Sequence, residues 1–360
     1  MRHLITGGSG FVGNLVARLL GARGDEVRVL DVWEDPSRPA DIQYIECSVL
    51  NRDGVARAMR GVDVVHHNAA LVAQTDAGKK YWEVNVEGSR IVAEEAAKAG
   101  VKWFVHTSST AVFGIPPTEG PITNRTPTVP VEPYGRSKLA GEHVVDEICG
   151  RHKISLITIR PRATLGAGRL GIFQILFEWI RDNRNVYVIG DGNIKFQFIH
   201  AADLMDFYML ALDARKPGTY NVGTDRFGTL RGDLEALIDF AGSTSGVKGL
   251  PPILAINALR ALYWMRLSPL VPWHYLTYHK PCYFDVQPLL ELGWKPRYSN
   301  LSMLKESYDW FLKNSEEGAG KQSSPHRSPL KQGVLWLVKQ IAGRGTRHVR
   351  ESFSQRNLPS

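Results

Sequence analysis

The 360-residue sequence predicts an α/β fold, a doubly wound parallel sheet with helices on both faces. Short apolar runs alternate with helical patterns through residues 1–160, as parallel strands joined by crossover helices require. Glycines Gly7, Gly10 and Gly13 stand where the first run gives way to the first helix, and an acid, Asp31, closes the second run.

The runs His3–Thr6, Glu26–Asp31, Ile42–Glu46, Val62–His67, Trp103–Ser108 and Ser155–Arg160 read as strands. Between them Val12–Leu20, Asp53–Arg60, Tyr81–Lys98 and Ser137–Ile148 repeat their apolar residues at helical spacing. After Pro161 the pattern loosens into Gly- and Pro-rich loops, with a helix around Ile172–Asp182 and a strand at Val186–Ile189. This predicts a smaller substrate lobe over residues 161–312, interleaved with the 1–160 dinucleotide-binding part. Leu250–Leu276, rich in Leu, Ile, Trp and Tyr, reads first as core of that lobe. An apolar pocket or a membrane contact are its other uses. Residues 313–329 turn to Ser, Gly, Lys and Pro and read as a linker. In the tail, residues 330–360, Leu330, Val334, Leu337, Val338 and Ile341 fall at helical spacing.

With 43% hydrophobic and 22% charged residues the chain can bury a substantial core. Its three cysteines are scattered, which argues against a disulfide framework and for a reducing, cytoplasmic setting. Met1–Thr6 enters a strand directly, so no signal peptide is expected, and no uncharged apolar run is long enough to span a membrane. From Lys321 onward eight bases meet one acid, so the tail carries seven of the eight net positive charges. The near-neutral body offers no basic face, which excludes a nucleic-acid reading. The tail predicts an amphipathic helix over 330–342 that docks on an anionic membrane or a partner.

The run Thr6-Gly7-Gly8-Ser9-Gly10-Phe11-Val12-Gly13 has the glycine spacing of a Rossmann-type dinucleotide site. Glycine there turns the chain sharply, brings amides close to a pyrophosphate and packs helix on strand. The helix N-terminus then presents free N–H groups to the anion, with Phe11 and Val12 beside it. Asp31 suits both adenosine ribose hydroxyls and repels a 2′-phosphate, which favours NAD over NADP. Arg28 and Arg38, near in sequence, are the bases that would soften that preference.

Tyr134-Gly135-Arg136-Ser137-Lys138 sets a phenol and an ammonium four residues apart, on one helix face. A nearby ammonium favours the phenolate, so Tyr134 is expected to titrate below the usual value of about 10 and to act as general acid or base. With the glycine run and Thr107-Ser108-Ser109-Thr110-Ala111-Val112-Phe113-Gly114, these residues carry a resemblance. From Met1 to about Leu312 the chain resembles the extended short-chain dehydrogenases/reductases. That family holds NAD-dependent sugar epimerases and dehydratases and hydroxysteroid dehydrogenases.

The resemblance implies Ser109 as the catalytic serine, Tyr134 as acid/base, and Lys138 on the nicotinamide ribose. It implies Ser48 and Val49 beside the adenine, with Ser48 weakly replacing the usual acid, Ala69 of His67-Asn68-Ala69-Ala70 under the cofactor, and Pro161 at its far end. Asn85 matches the family's helix asparagine. Family dehydratases carry Asp-Glu after the serine, and decarboxylases a Glu two residues on. Thr110 and Ala111 hold those positions here, so transient or net oxidoreduction remains.

Ser109 and Thr110 are candidate substrate contacts, and Arg162 and Arg169 suit a diphosphate. Against that, many nucleotide-sugar enzymes have an Arg where this chain has Phe196, with Lys195 beside it. The expected substrate is a small molecule, a sugar or nucleotide-sugar carbinol. A hydroxysteroid-like oxidoreductase of an apolar alcohol is the alternative, and an NAD(H)-sensing binding module the alternative of another class. A homodimer through 81–98 and 137–148 is implied by resemblance alone.

Overall fold

The computed structural model describes residues 1–73, 77–115, 120–268, 270–316 and Lys339. The tail helix expected over 330–342 thus lies outside the described residues except at Lys339, whose ammonium pairs with Asp182 at 2.5 Å.

The first half winds strand and helix in turn: β1 (Arg2–Thr6), α1 (Phe11–Ala22), β2 (Glu26–Asp31), β3 (Gln43–Glu46), α2 (Arg52–Ala58) and β4 (Val64–His67). Next come α3 (Lys80–Trp82), a π-helical turn (Glu83–Gly88), α4 (Ser89–Lys98) and β5 (Trp103–Thr107). A 3₁₀ turn (Thr110–Phe113), α5 (Pro133–His152) and β6 (Ser155–Pro161) complete it. The second half holds β7 (Thr164–Leu165), α6 (Phe173–Arg181), β8 (Val186–Ile189), β9 (Ile199–His200), α7 (Ala201–Ala214) and β10 (Gly218–Val222). It ends with α8 (Leu230–Phe240), β11 (Val247–Leu250), α9 (Pro252–Trp264), α10 (Pro272–Thr277), α11 (Gln287–Glu291) and α12 (Asn300–Glu316).

Seven strands form one sheet in the order β10-β6-β5-β4-β1-β2-β3, every pair parallel. The order reverses between β1 and β4, and in such sheets the crevice beyond the strands' carboxyl ends at that switch is where ligands bind. Alternation along the strands divides the core. Leu4, Val65 and Phe104 pack with α2, α4 and α5, while Ile5, Val64 and Val105 pack with α1, α7 and the second half. The lobe is therefore continuous with one face of the sheet: Phe173, Phe177, Phe196 and Phe284 share a cluster with Ile5 and Val64.

Three elements differ from the sequence reading. α5 begins at Pro133 rather than Ser137, because Glu132 caps it and Pro133 fits the first helical position. β10, short and set among loops, returns to the sheet as its edge. α12 continues past Lys313 into the stretch whose composition reads as a linker.

α9 is not lobe core: of its residues only Ala255 is buried. No helix among the described residues is long and apolar enough to cross a membrane.

Candidate active site

At the carboxyl edge of β1, Gly7 adopts φ +68°, and a Cβ there would lie 2.6 Å from the Ala69 amide nitrogen. A Cβ on Gly13 would meet the Gly7 carbonyl at 2.2 Å. Both positions thus require glycine, one for its backbone and both for space. The turn brings β1, the Ala69 segment and the start of α1 into contact, leaving the α1 N-terminus facing the crevice. Gly10 is its extended N-cap, and no side chain caps it. Phe11 and Val12 open the helix, half-buried.

Asp31 closes β2, and its carboxylate accepts from the amides of Ser9 at 3.0 Å and Val32 at 2.7 Å. The neighbouring bases are engaged elsewhere. Arg38 pairs with Glu34 and donates to the Ile42 carbonyl. Arg28 donates to the Arg60 carbonyl at 2.7 Å and to Glu26. The Ser48 hydroxyl accepts from the Leu50 amide at 3.2 Å, a local turn bond, and Val49 is buried under Gly88. The fit for a dinucleotide rests on the glycine cradle, the helix N-terminus that no side chain caps and Asp31.

The Glu132 carboxylate accepts from the Tyr134 amide at 2.7 Å and the Gly135 amide at 2.6 Å, fixing the first turn of α5. Tyr134 therefore projects at the helix start toward the end of β5. The Ser109 hydroxyl stands beside the Tyr134 phenol, whose pKa it lowers, and caps the 3₁₀ turn by accepting from the Ala111 amide. One turn along α5, the Lys138 ammonium donates to the Thr107 carbonyl at 2.8 Å. The structure thus brings Ser109, Tyr134 and Lys138 together around the end of β5.

The electrostatics correct one expectation. Burial pushes the Tyr134 phenol up to about 12, although the neighbouring Ser109 hydroxyl and the charge of Arg169 oppose it. Burial pulls Lys138 down to about 8, with Glu142 opposing. Desolvation leads both shifts, since each group is taken out of water at its place in the crevice.

Of the two arginines, only Arg169 reaches the site. Its guanidinium lies 5.0 Å from the Phe11 ring centroid and acts electrostatically on Tyr134, spanning glycine loop and catalytic tyrosine. Arg162 is turned into the core, 3% exposed, donating to the Gln197 carbonyl and the Cys282 sulfur between the rings of Phe196 and Phe284. The Thr110 hydroxyl is likewise committed, donating to the Pro161 carbonyl at 2.5 Å, which ties the 3₁₀ turn to β6.

A supporting layer lies beneath. The Asn85 amide donates to the Ser137 hydroxyl and exchanges two bonds with Leu71, holding the π-helical turn against α5 and the Ala69 segment. The Thr107 hydroxyl donates to Asn68 at 2.7 Å. Tyr208 of α7 hydrogen-bonds His66, and His66 hydrogen-bonds His3, at 2.9 Å each. Arg160 and Glu142 form a buried ion pair at 2.5 Å behind Lys138. Asn68, Asn85 and Thr107 stand in sequence runs already named, while His3, His66, Tyr208, Glu142 and Arg160 sit within strand and helix patterns that no local spacing marks.

The sequence profile of the NAD dependent epimerase/dehydratase family matches residues 3–223. An uncharacterized protein, y4nG, of Sinorhizobium fredii is 39% identical over 339 residues, covering 93% of this chain and 85% of that one. A 3-beta-hydroxysteroid dehydrogenase of Mycolicibacterium neoaurum is 31% identical over 232 residues, 60% of this chain and 62% of that one. Among solved structures, the Thermus thermophilus UDP-glucose 4-epimerase complex with NAD superposes with a TM-score of 0.71 at 25% identity, covering 89% of this chain and 100% of that one.

Proposed function

The chain belongs to the NAD-dependent epimerase/dehydratase family, and on that footing we propose that it epimerises a sugar or nucleotide-sugar carbinol by transient oxidation. The observation that carries this reading is Ser109, Tyr134 and Lys138 gathered around the end of β5, with proton-inert neighbours, beside an intact glycine cradle.

NAD, when bound, would supply a reversible hydride acceptor for the carbinol carbon; the amides after Gly10 would hold its pyrophosphate, Asp31 its adenosine ribose and Lys138 its nicotinamide ribose. Tyr134 takes the carbinol proton and gives it back, and Ser109 holds the reacting oxygen in line. Thr110 is tied to a carbonyl and Ala111 is buried and apolar, so nothing beside Ser109 supplies the extra acid and base of a dehydratase. Arg169, over Phe11, contacts an anionic group of the substrate.

One observation favours a second reading. Arg162 is spent in the core, so Arg169 alone of the pair stands ready for a diphosphate. This suits a net dehydrogenase of an apolar alcohol. Absorbance at 340 nm separates the two. Epimerisation predicts conversion of a UDP-hexose to its C4 epimer in the presence of NAD with no net NADH. Stoichiometric NADH from an apolar secondary alcohol, with no sugar turnover, replaces it with the dehydrogenase reading.

Asp31→Ala removes charge-assisted hydrogen bonds to the ribose and the charge that repels a 2′-phosphate. NAD affinity is expected to fall about 10- to 100-fold and discrimination against NADP to collapse. Titration calorimetry with both dinucleotides checks this, and unchanged NAD affinity with NADP still excluded would remove Asp31 from the cofactor site.

A further inference from the structure

The exterior of α9 presents large apolar side chains to solvent, interrupted by the exposed polar residues Asn257 and Arg260. Ile253 is 77% exposed, Leu254 69%, Trp264 85% and Met265 49%. Ile253 and Trp264 are eleven residues apart, as are Leu254 and Met265, which is three helical turns, so all four share one face. The opposite side, Ala255, Ile256, Leu259 and Leu262, rests toward the body, where α9 meets β8 and α10. Leu250 and Leu267 extend the exposed strip at either end. Exposed apolar side chains scattered singly need no partner, but a contiguous strip marks a contact surface.

Charge identifies the partner. No acid occurs between Asp239 and Asp285, and Lys248, Arg260 and Arg266 stand exposed along the strip. An apolar face edged by bases, with a tryptophan at its end, matches the interface of an anionic bilayer. There apolar side chains enter the acyl boundary, bases meet phosphate headgroups and tryptophan prefers the headgroup level.

We propose that α9 docks the protein flat on an anionic phospholipid surface through Ile253, Leu254, Trp264 and Met265, with Lys248, Arg260 and Arg266 on the headgroups. This surface is independent of the substrate. It differs from the basic tail, which every variant below retains.

The test is co-sedimentation of the full chain with vesicles of phosphatidylglycerol and phosphatidylcholine, or of phosphatidylcholine alone. The full chain is expected to pellet with the anionic vesicles and much less with the neutral ones. The triple variant Ile253→Ser, Leu254→Ser, Trp264→Ser is expected to lose at least about tenfold in partitioning, with melting temperature and NAD binding unchanged. If the triple variant melts early, Trp264→Lys, at the most exposed position, is expected to show the same direction of loss. Pelleting of the folded variant equal to that of the unaltered chain overturns the proposal, as does failure of the unaltered chain to pellet. Sedimentation velocity showing that the variant splits a dimer, with no vesicle binding by either, reassigns the face to a second copy. Vesicle binding needs no turnover, so a failed activity assay leaves this result standing.

Discussion

Tyr134→Phe is expected to lower kcat by about 10²- to 10⁴-fold while leaving NAD affinity within a few-fold. The substitution deletes one oxygen. The α5 cap from Glu132 is made by backbone amides, so the helix start and the ring position stay as they are. What is lost is the group that takes and returns the carbinol proton, and Ser109 cannot replace it because its own hydroxyl is far less acidic. The phenol titrates near 12, so activity that requires phenolate rises with pH below that value. Steady-state kinetics with a UDP-hexose across pH check both statements. A Phe variant that keeps full activity would move the chemistry off Tyr134 and favour a binding module.

The second large effect is on stability and its coupling to the site. Arg160 and Glu142 pair at 2.5 Å with their side chains 11% and 7% exposed. Glu142→Ala leaves a buried guanidinium without its carboxylate, a change that costs about 3–5 kcal/mol, measured by denaturant unfolding. Glu142→Gln keeps the shape and removes the charge that holds Lys138 up. Lys138 titrates near 8 in the folded protein and near 10.5 when unfolded. Between those values the unfolded chain binds more protons, so stability from this group rises with pH across about 8 to 10.5. Activity that requires the ammonium falls above about 8. In the Gln variant that falling limb moves to lower pH. An unmoved limb would show that Lys138 is not the group responsible.

The sequence made the site's local features legible and left its long-range ones hidden. The glycine turn, Asp31, Ser109, Tyr134 and Lys138 lie within short motifs whose spacing already carries the geometry. So do the first six strands, each an apolar run bounded by turns. Arg162 and Arg169 look alike in sequence, seven residues apart in one loop. They diverge because Gln197, Cys282 and Phe284, distant in the chain, fold around Arg162 and leave Arg169 to the crevice. The titration of Tyr134 departs from expectation for the same reason: spacing sets an ammonium four residues on but does not show the burial that raises the phenol. The column His3–His66–Tyr208 joins β1, β4 and α7 through side chains that no periodicity marks. For α9, composition shows an apolar stretch that reads as lobe core, and only packing shows that much of it is left outside.

The central claim is that one carbinol hydrogen leaves as hydride and returns to the same carbon within a single turnover. UDP-glucose deuterated at C4, incubated with the protein and NAD in ordinary water, measures this directly. The claim predicts the C4 epimer with deuterium fully retained at C4 and no NADH accumulating. Epimer in which the label has washed out to solvent, or label recovered in free NADH, would contradict it.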